Sequence, residues 1–418
     1  NMKLILIALV STLIISLSGA AHKDNLKGWI SYQLKQNIVD LFIKDLVDRC
    51  EGIVVEENGR GVIEQVAIPP EHKKKFETGL RHRRVEFTIT SVDVGGDINN
   101  ERLNNDEATL MADLKTIEYS SDSAAPVRDV TTYFAKHNEI NTWLTSVAAN
   151  SNGLCSTQDI GTSYQRRSLR ILKCSTNGKS SSKKIVFLDS AIHAREHLAP
   201  ASLLYIIKTM VDGYKSGNSA AKNILNKYDF QFFPVVNPDG YDYTFSSNRN
   251  RFWRKTRQPY GRNYGADPNR NFANNFGGPS TSRNPSSDIY CGPRAFSEPE
   301  TLAMSRYLTT LRSRLALYIS FHTYGQLWLT PPGFTRRLPS DYNEIMRVAK
   351  AGASALRNVN GNNWRVGQPA NVGLYEAAGG SYDWVREVLG IKYSYTLELG
   401  RKWPAGMNGF LATPQEIA

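Results

Sequence analysis

Residues 186–197 read VFLDSAIHAREH. The apolar, β-forming run Val186, Phe187 and Leu188 predicts a short buried strand. Behind it stand His193, Arg195, Glu196 and His197, all groups that bind metals or anions. A buried strand running into ionisable side chains is how open α/β sheets place an active site at their carboxyl edge.

Two more predicted strands end the same way. Residues 315–321 run into His322, and residues 393–399 carry Glu398. A buried His or Glu without a partner is costly, and one cause accounts for all of them. Two histidines and one carboxylate, His193, Glu196 and His322, make a catalytic zinc set that leaves a fourth position for water. Glu398 is then free to act as general base. A rival pattern, H-x-x-E-H, would make both His193 and His197 ligands with Glu196 as base. It requires a helix, whereas here the motif follows directly on a strand and Pro200 comes three residues later, which favours the first set.

The bulk composition bounds the rest. The chain has 418 residues, 41% hydrophobic and 22% charged, enough for more than one domain. The net charge is +12, but its Lys and Arg are scattered. The one basic, aromatic-interleaved segment, residues 249–257, reads as a solvated loop, so no nucleic-acid partner is expected. Lys3 followed by an apolar run over residues 4–17 and the small residues Ser18, Gly19, Ala20 and Ala21 predicts a secretory signal peptide. Secretion implies an oxidising compartment, where Cys50, Cys155, Cys174 and Cys291 allow up to two disulfides. Cys155 and Cys174 flank two β-like segments of a predicted hairpin and are the pair to test first. No acceptor sequence for an N-linked glycan is present.

Between residues 25 and 102 the periodicities run β-α-β-β-α-β, which suits a small, ferredoxin-like α+β domain without a metal-like cluster. Residues 95–126 are rich in Asn, Asp and Ser and read as a linker with helical pieces. From residue 138 on, strands alternate with helices. That order predicts one α/β/α domain with a mixed, mostly parallel central sheet. Within it, residues 241–293 form a long irregular stretch of the kind that is usually functional.

Six segments now carry a resemblance. HARE at 193–196, WRKTR at 253–257, DPNRNF at 267–272, SFHTYGQ at 320–326, LYEAAGGSYDW at 374–384 and YTLELG at 395–400 occur in that order. Over about residues 130–412 the chain resembles the secreted zinc metallocarboxypeptidases of the pancreatic and digestive A/B type. Residues 25–102 more loosely resemble their inhibitory propeptide. The resemblance implies a signal peptide at 1–21, a propeptide domain at 22–102, an activation linker at 103–128 and a catalytic domain at 129–418.

It also implies roles. His193, Glu196 and His322 would bind one Zn2+, with Asp267 orienting His193. Glu398 would deprotonate the zinc-bound water and Arg254 would stabilise the oxyanion. Asn269, Arg270 and Tyr375 would hold the terminal carboxylate of a peptide substrate, and Arg195 a neighbouring peptide carbonyl. Tyr382, Gly333 and Ala370 would line the pocket for the departing side chain. Since all three are uncharged, a neutral aliphatic or aromatic residue is expected there. A trypsin-like protease would activate the zymogen at Lys115 or Arg128, and the product would be a secreted monomer with no membrane attachment once its signal is removed. An inactive peptide-binding homologue and a prohormone-processing relative are the alternatives. The intact ligand and base set counts against the former. The pro-domain, the HARE form and the lack of a pocket acid count against the latter. Two departures stand out: Asn263 and Ser286 replace an expected disulfide, and the chain stops at Ala418, where a closing helix is expected.

Overall fold

In the N-terminal region, period-two apolar residues build β1 (Ile30–Lys35), β2 (Ile53–Glu57), β3 (Ile63–Ile68) and β4 (Glu86–Ser91), with α1 (Leu41–Arg49) and α2 (Lys73–His82) between them. The computed structural model describes residues 26–35, 41–57, 62–118, 127–176 and 182–417. The signal peptide expected at 1–21 lies outside these residues. The four strands form an antiparallel sheet in the order β2-β3-β1-β4. Phe76 and Leu80, four residues apart on α2, pack with Ile43 and Leu46 of α1 against Tyr32, Leu34 and Val66 of the sheet. Gly79 allows that approach, because a Cβ there would overlap the Leu46 side chain.

The expected linker is instead largely a 25-residue helix, α3 (Val94–Glu118). The expected boundary at residue 102 therefore falls inside a helix. Asp93 caps it, accepting from the Gly96 backbone N–H at 3.0 Å, and Val94 and Ile98 anchor it in a shared core. Further along, Ala112 joins the main core while Leu103 and Met111 are exposed, so its apolar residues form no single stripe that announces it. Glu101 supplies the strongest tertiary tie, a two-pronged buried ion pair with Arg251 at 2.5 and 2.7 Å.

The large domain follows with α4 (His137–Ala149), β5 (Cys155–Thr162), β6 (Ser168–Cys174), β7 (Ile185–Ser190), α5 (Leu198–Lys215), α6 (Ser219–Lys227), β8 (Asp229–Phe233) and α7 (Pro238–Thr244). Then come β9 (Pro259–Tyr260), β10 (Asn263–Tyr264), α8 (Pro299–Leu311), β11 (Leu315–Gly325), β12 (Leu327–Leu329), α9 (Tyr342–Asn360), β13 (Arg365–Gly367), α10 (Ser381–Glu387) and β14 (Tyr393–Lys402). Eight strands form one mixed sheet, β13-β12-β14-β11-β7-β8-β6-β5. Its centre, β14-β11-β7-β8, is parallel. Every residue of β7 and β8 is buried, as a strand covered on both faces requires. Val186 and Leu188 face the layer of α4, α5 and α9, while Ile185 and Phe187 face α8 and α10. The α/β/α architecture is the one expected.

Local differences have local causes. Helix α5 starts at Leu198 and takes Pro200 into its first turn, where a missing N–H leaves no bond unmade. The Asn237-Pro238-Asp239-Gly240 turn continues into α7, with Asn237 capping Gly240 N–H at 3.0 Å. The N-cap position of α8 is Glu298 rather than Ser297 and makes no side-chain capping bond, and Glu300 accepts instead from the Tyr164 backbone N–H. No described helix is long and apolar enough to cross a membrane.

Cys155 and Cys174 stand opposite each other on β5 and β6 and form a disulfide, while Cys50 and Cys291 are buried and free. The bridge closes a short loop, so replacing both cysteines by serine is expected to cost about 2–4 kcal/mol. A urea midpoint unchanged from that of the parent chain would contradict this.

Candidate metal centre and cleft

The parallel register creates the site. On β11 and β14, His322 is paired directly with Glu398, and the loop leaving the carboxyl end of neighbouring β7 carries His193 and Glu196. One atom each of His193, Glu196 and His322 lies within 4.8 Å of the others, and all three residues are buried. His193 Nδ1 is 2.7 Å from Glu196 Oε1, and His322 Nδ1 is 3.2 Å from His193 Nδ1 and 3.0 Å from Glu196 Oε2. Tetrahedral zinc, with bonds of about 2.0–2.2 Å, holds its ligand atoms roughly 3.3 Å apart, so this donor set fits the ion. His197 takes no part. Its ring stacks on Phe245 at 4.4 Å, and its Nε2 lies 2.7 Å from Thr244 Oγ1. Burial holds it well below the ordinary imidazole range, and hence neutral. The H-x-x-E-H reading fails on this geometry.

Electrostatics agree with the assignment. Burial alone would raise the Glu196 carboxyl, but the two imidazoles outweigh it and hold the group ionised. Burial and Arg254 push His193 down, whereas for His322 burial also pulls down but Glu196 outweighs it and lifts the ring above its ordinary value. A bound metal would take the place of that proton, since it needs neutral rings. Asp267 has no exposed surface. Despite that burial it stays ionised under the pull of Arg254, His193 and Arg270. Its Oδ1 accepts from His193 Nε2 at 3.2 Å and from Asn269 N–H at 2.8 Å, and its Oδ2 from Arg254 at 2.8 and 3.0 Å. Burial lifts Glu398 to about 8, with Glu196 and Glu56 adding to the lift against His322 and Arg254.

One cleft collects the remaining candidates: Arg254, Asn269, Arg270, Tyr375, Tyr382 and Glu398 all line it beside His193 and Glu196. Asn269 is fixed by accepting from Ser381 N–H at 2.9 Å, and Arg270 by donating to Ser280 O at 2.7 Å. Of the three pocket candidates, only Tyr382 faces the cleft. Gly333 lies behind it, where a Cβ would overlap the phenol oxygen, and Ala370 sits in the turn Pro369–Asn371, of which Pro369 makes the cleft contact. Leu329, Leu374, Ala377 and Thr396 complete the apolar side.

Two participants were not legible beforehand. Glu56, from β2, lines the cleft, and burial lifts its carboxyl to about 7. The neighbouring Val55 carbonyl accepts from Arg195, whose guanidinium also lies 4.2 Å above the Phe410 ring. With β2 in place the free volume is about 110 Å³, below the roughly 300–1,000 Å³ of pockets that enclose a small ligand. The segment 400–410 shapes the same rim, Trp403 and Phe410 packing on Tyr324 at 5.3 and 5.0 Å.

The family model described as zinc carboxypeptidase matches residues 140–418. Carboxypeptidase B of Astacus astacus is 39% identical over 289 residues, 68% of this chain and 91% of that protein. Carboxypeptidase A2 of Mus musculus is 38% identical over 281 residues, 67% of this chain and 64% of that protein. Among solved structures, thrombin activatable fibrinolysis inhibitor superposes with a TM-score of 0.77 at 27% identity, covering 94% of each chain. Carboxypeptidase A from Helicoverpa armigera does so with 0.75 at 26%, covering 94% of this chain and 93% of that one.

A carboxylate behind a ligating imidazole sets ring orientation and basicity. Asp267→Asn is therefore expected to weaken zinc binding by about 10- to 100-fold, measured by competition with a chromophoric chelator. An affinity equal to that of the unsubstituted chain would remove Asp267 from the centre.

Proposed function

The chain belongs to the zinc carboxypeptidase family, and on that premise we propose that it is the secreted zymogen of an exopeptidase that removes neutral aliphatic or aromatic residues from peptide C-termini. One observation carries the reading: the metal ligands, the Glu398 carboxylate and a cluster of carboxylate-binding groups share one cleft, and a strand of the N-terminal domain covers it. Zinc held by His193, Glu196 and His322 supplies a Lewis acid for the scissile carbonyl and acidifies water.

The chain's own groups do the rest. Arg270, Asn269 and Tyr375 receive the terminal carboxylate. A guanidinium forks onto a carboxylate with two parallel hydrogen bonds, and this limits cleavage to the chain end. Glu398, opposite His322, takes the proton of the attacking water and passes it to the leaving amine. Arg254 turns from Asp267 toward the developing oxyanion, a charge that appears only on the way to products. Tyr382 closes the side-chain pocket with a neutral phenol. A departing Lys or Arg would bury its charge against that phenol, since the buried Asp383 behind it is already engaged by the Gly333 N–H, a loss of several kcal/mol.

Arg195 supports the zymogen reading. It holds the Val55 carbonyl, a peptide carbonyl standing where a substrate's would be held, and Glu56 brings a carboxylate into the cleft. Ser287 donates to Glu57 at 2.9 Å, and Lys44 donates to Ser286 at 3.2 Å, so the domain is tied down on the side that faces residues 286–287. Of the two activation sites, Lys115 is the better. It is exposed near the end of α3, whereas the Arg128 guanidinium is engaged by Asp113, Glu139 and Tyr133. The apolar run at residues 4–17 and the disulfide support the secreted reading.

After trypsin treatment the protein is expected to release Phe and Leu from blocked peptides faster than Lys or Arg, and a zinc chelator should abolish release. Glu398→Gln should lower kcat by about 10²–10⁴ with little change in zinc content. Faster release of Lys would overturn the pocket reading.

Glu56 adds a pH dependence. Its docked value of about 7 lies above the roughly 4.3 of a free Glu, so docking takes up a proton. Closure is then tightest below the free value and weakens as pH climbs through about 7. The ratio of zymogen to mature activity should rise across that window, and Glu56→Gln should flatten the rise. A ratio independent of pH in the parent chain would remove Glu56 from the docking contact.

A further inference from the structure

Each histidine of the centre turns one nitrogen toward the ligand group and one away. For His193 the outward partner is Asp267. For His322 it is a hydroxyl: Nε2 lies 3.1 Å from Ser320 Oγ, and Ser320 Oγ donates to Asp189 Oδ1 at 2.7 Å. The direction of the chain is dictated. An ionised Asp189 only accepts, so the Ser320 proton goes to it, and the Ser320 oxygen is left to accept from His322 Nε2–H. His322 then carries its proton on Nε2 and presents a bare Nδ1 to the ligand group, as a metal ligand must.

The backbone enforces the arrangement. Ser320 and His322 stand two residues apart on one face of β11, and Ser320 is paired with Asp189 in the β7–β11 register. Asp189 has no exposed surface, and no described Lys or Arg forms an ion pair with it. Its second oxygen makes no hydrogen bond with a described residue, although the buried Tyr318 hydroxyl adjoins it. An apolar side chain would serve the strand better, since a buried carboxylate without a cation is costly. A metal ion held by His322 would be the charge that this carboxylate faces through Ser320.

We propose that Asp189 is a positioning residue of the metal centre, acting through Ser320 to fix the tautomer and ring orientation of His322. The centre thus has two carboxylate supports, Asp267 bonded directly to one imidazole and Asp189 relayed to the other. This inference rests on the zinc assignment of the ligand group.

The test uses the full chain, stripped of metal and titrated with zinc against a chromophoric chelator, alongside the melting temperature of the stripped protein. Asp189→Asn and Ser320→Ala should each weaken zinc binding by about 10- to 100-fold. The double variant should be no weaker than the worse single one, because both changes break one chain. A purely structural role would lower the melting temperature of the stripped protein and leave the zinc affinity of its folded fraction unchanged. That result overturns the proposal, as do two singles within twofold of the parent, or losses that multiply in the double variant. A parent chain that binds no zinc would overturn the metal centre itself, which is a separate outcome from failure of the relay.

Discussion

A charge without access to water, the carboxylate of Asp267, holds both halves of the site in register. Buried this deeply it must be surrounded by donors, and the groups that answer are His193, the Asn269 backbone N–H and Arg254, with Arg270 4.0 Å away. Three of these side chains line the cleft in their own right. The demand for compensation therefore brings the metal ligand and the substrate-binding cations to one place. It also orders part of the irregular stretch between α7 and α8, since Asp267 caps its own turn, Pro268–Arg270.

The sheet supplies the second constraint. Parallel pairing of β7, β11 and β14 sets three carboxyl ends side by side, and the pairing of His322 with Glu398 places a base next to a ligand. Because side chains alternate faces, a slip of one residue in β14 would send Glu398 into the opposite helical layer. Tyr395 and Leu397 would then leave the core cluster they share with Phe321 and Trp328. Apolar packing thus guards a catalytic register from a distance.

How much of this was written in the sequence varies with the range of the interaction. The metal set was legible because His193 and Glu196 directly follow one buried strand and His322 and Glu398 interrupt two others, an anomaly visible locally. The βαββαβ order of the first domain was legible for the same reason, its apolar periods being short and clean. Helix α3 was not, since its Asn- and Asp-rich face reads as a loop and its anchors, Val94, Ile98 and Glu101, find their partners far along the chain. Of Gly333, Ala370 and Tyr382, all assigned to one pocket wall, only Tyr382 lines the cleft, because no sequence pattern tells which of several neutral residues stands in front. Asp189 sat in plain view within VFLDS, but nothing in that run connects it to Ser320, 131 residues away.

The contact between β2 and the cleft has a further consequence, in mass action. While the chain is intact, strand and cleft are tethered, and a short flexible tether holds partners at an effective concentration on the order of millimolar. Closure is then a unimolecular balance, indifferent to how much protein is present. Cutting the connection changes no atom in the interface, neither the Arg195–Val55 bond nor the Glu101–Arg251 pair if the cut lies beyond it. It changes only the order of the reaction, because the released domain now has to find its partner by diffusion. On the proposed activation, opening would depend on dilution as well as on the nick: the same cleaved protein would stay shut in a crowded store and open in a large volume.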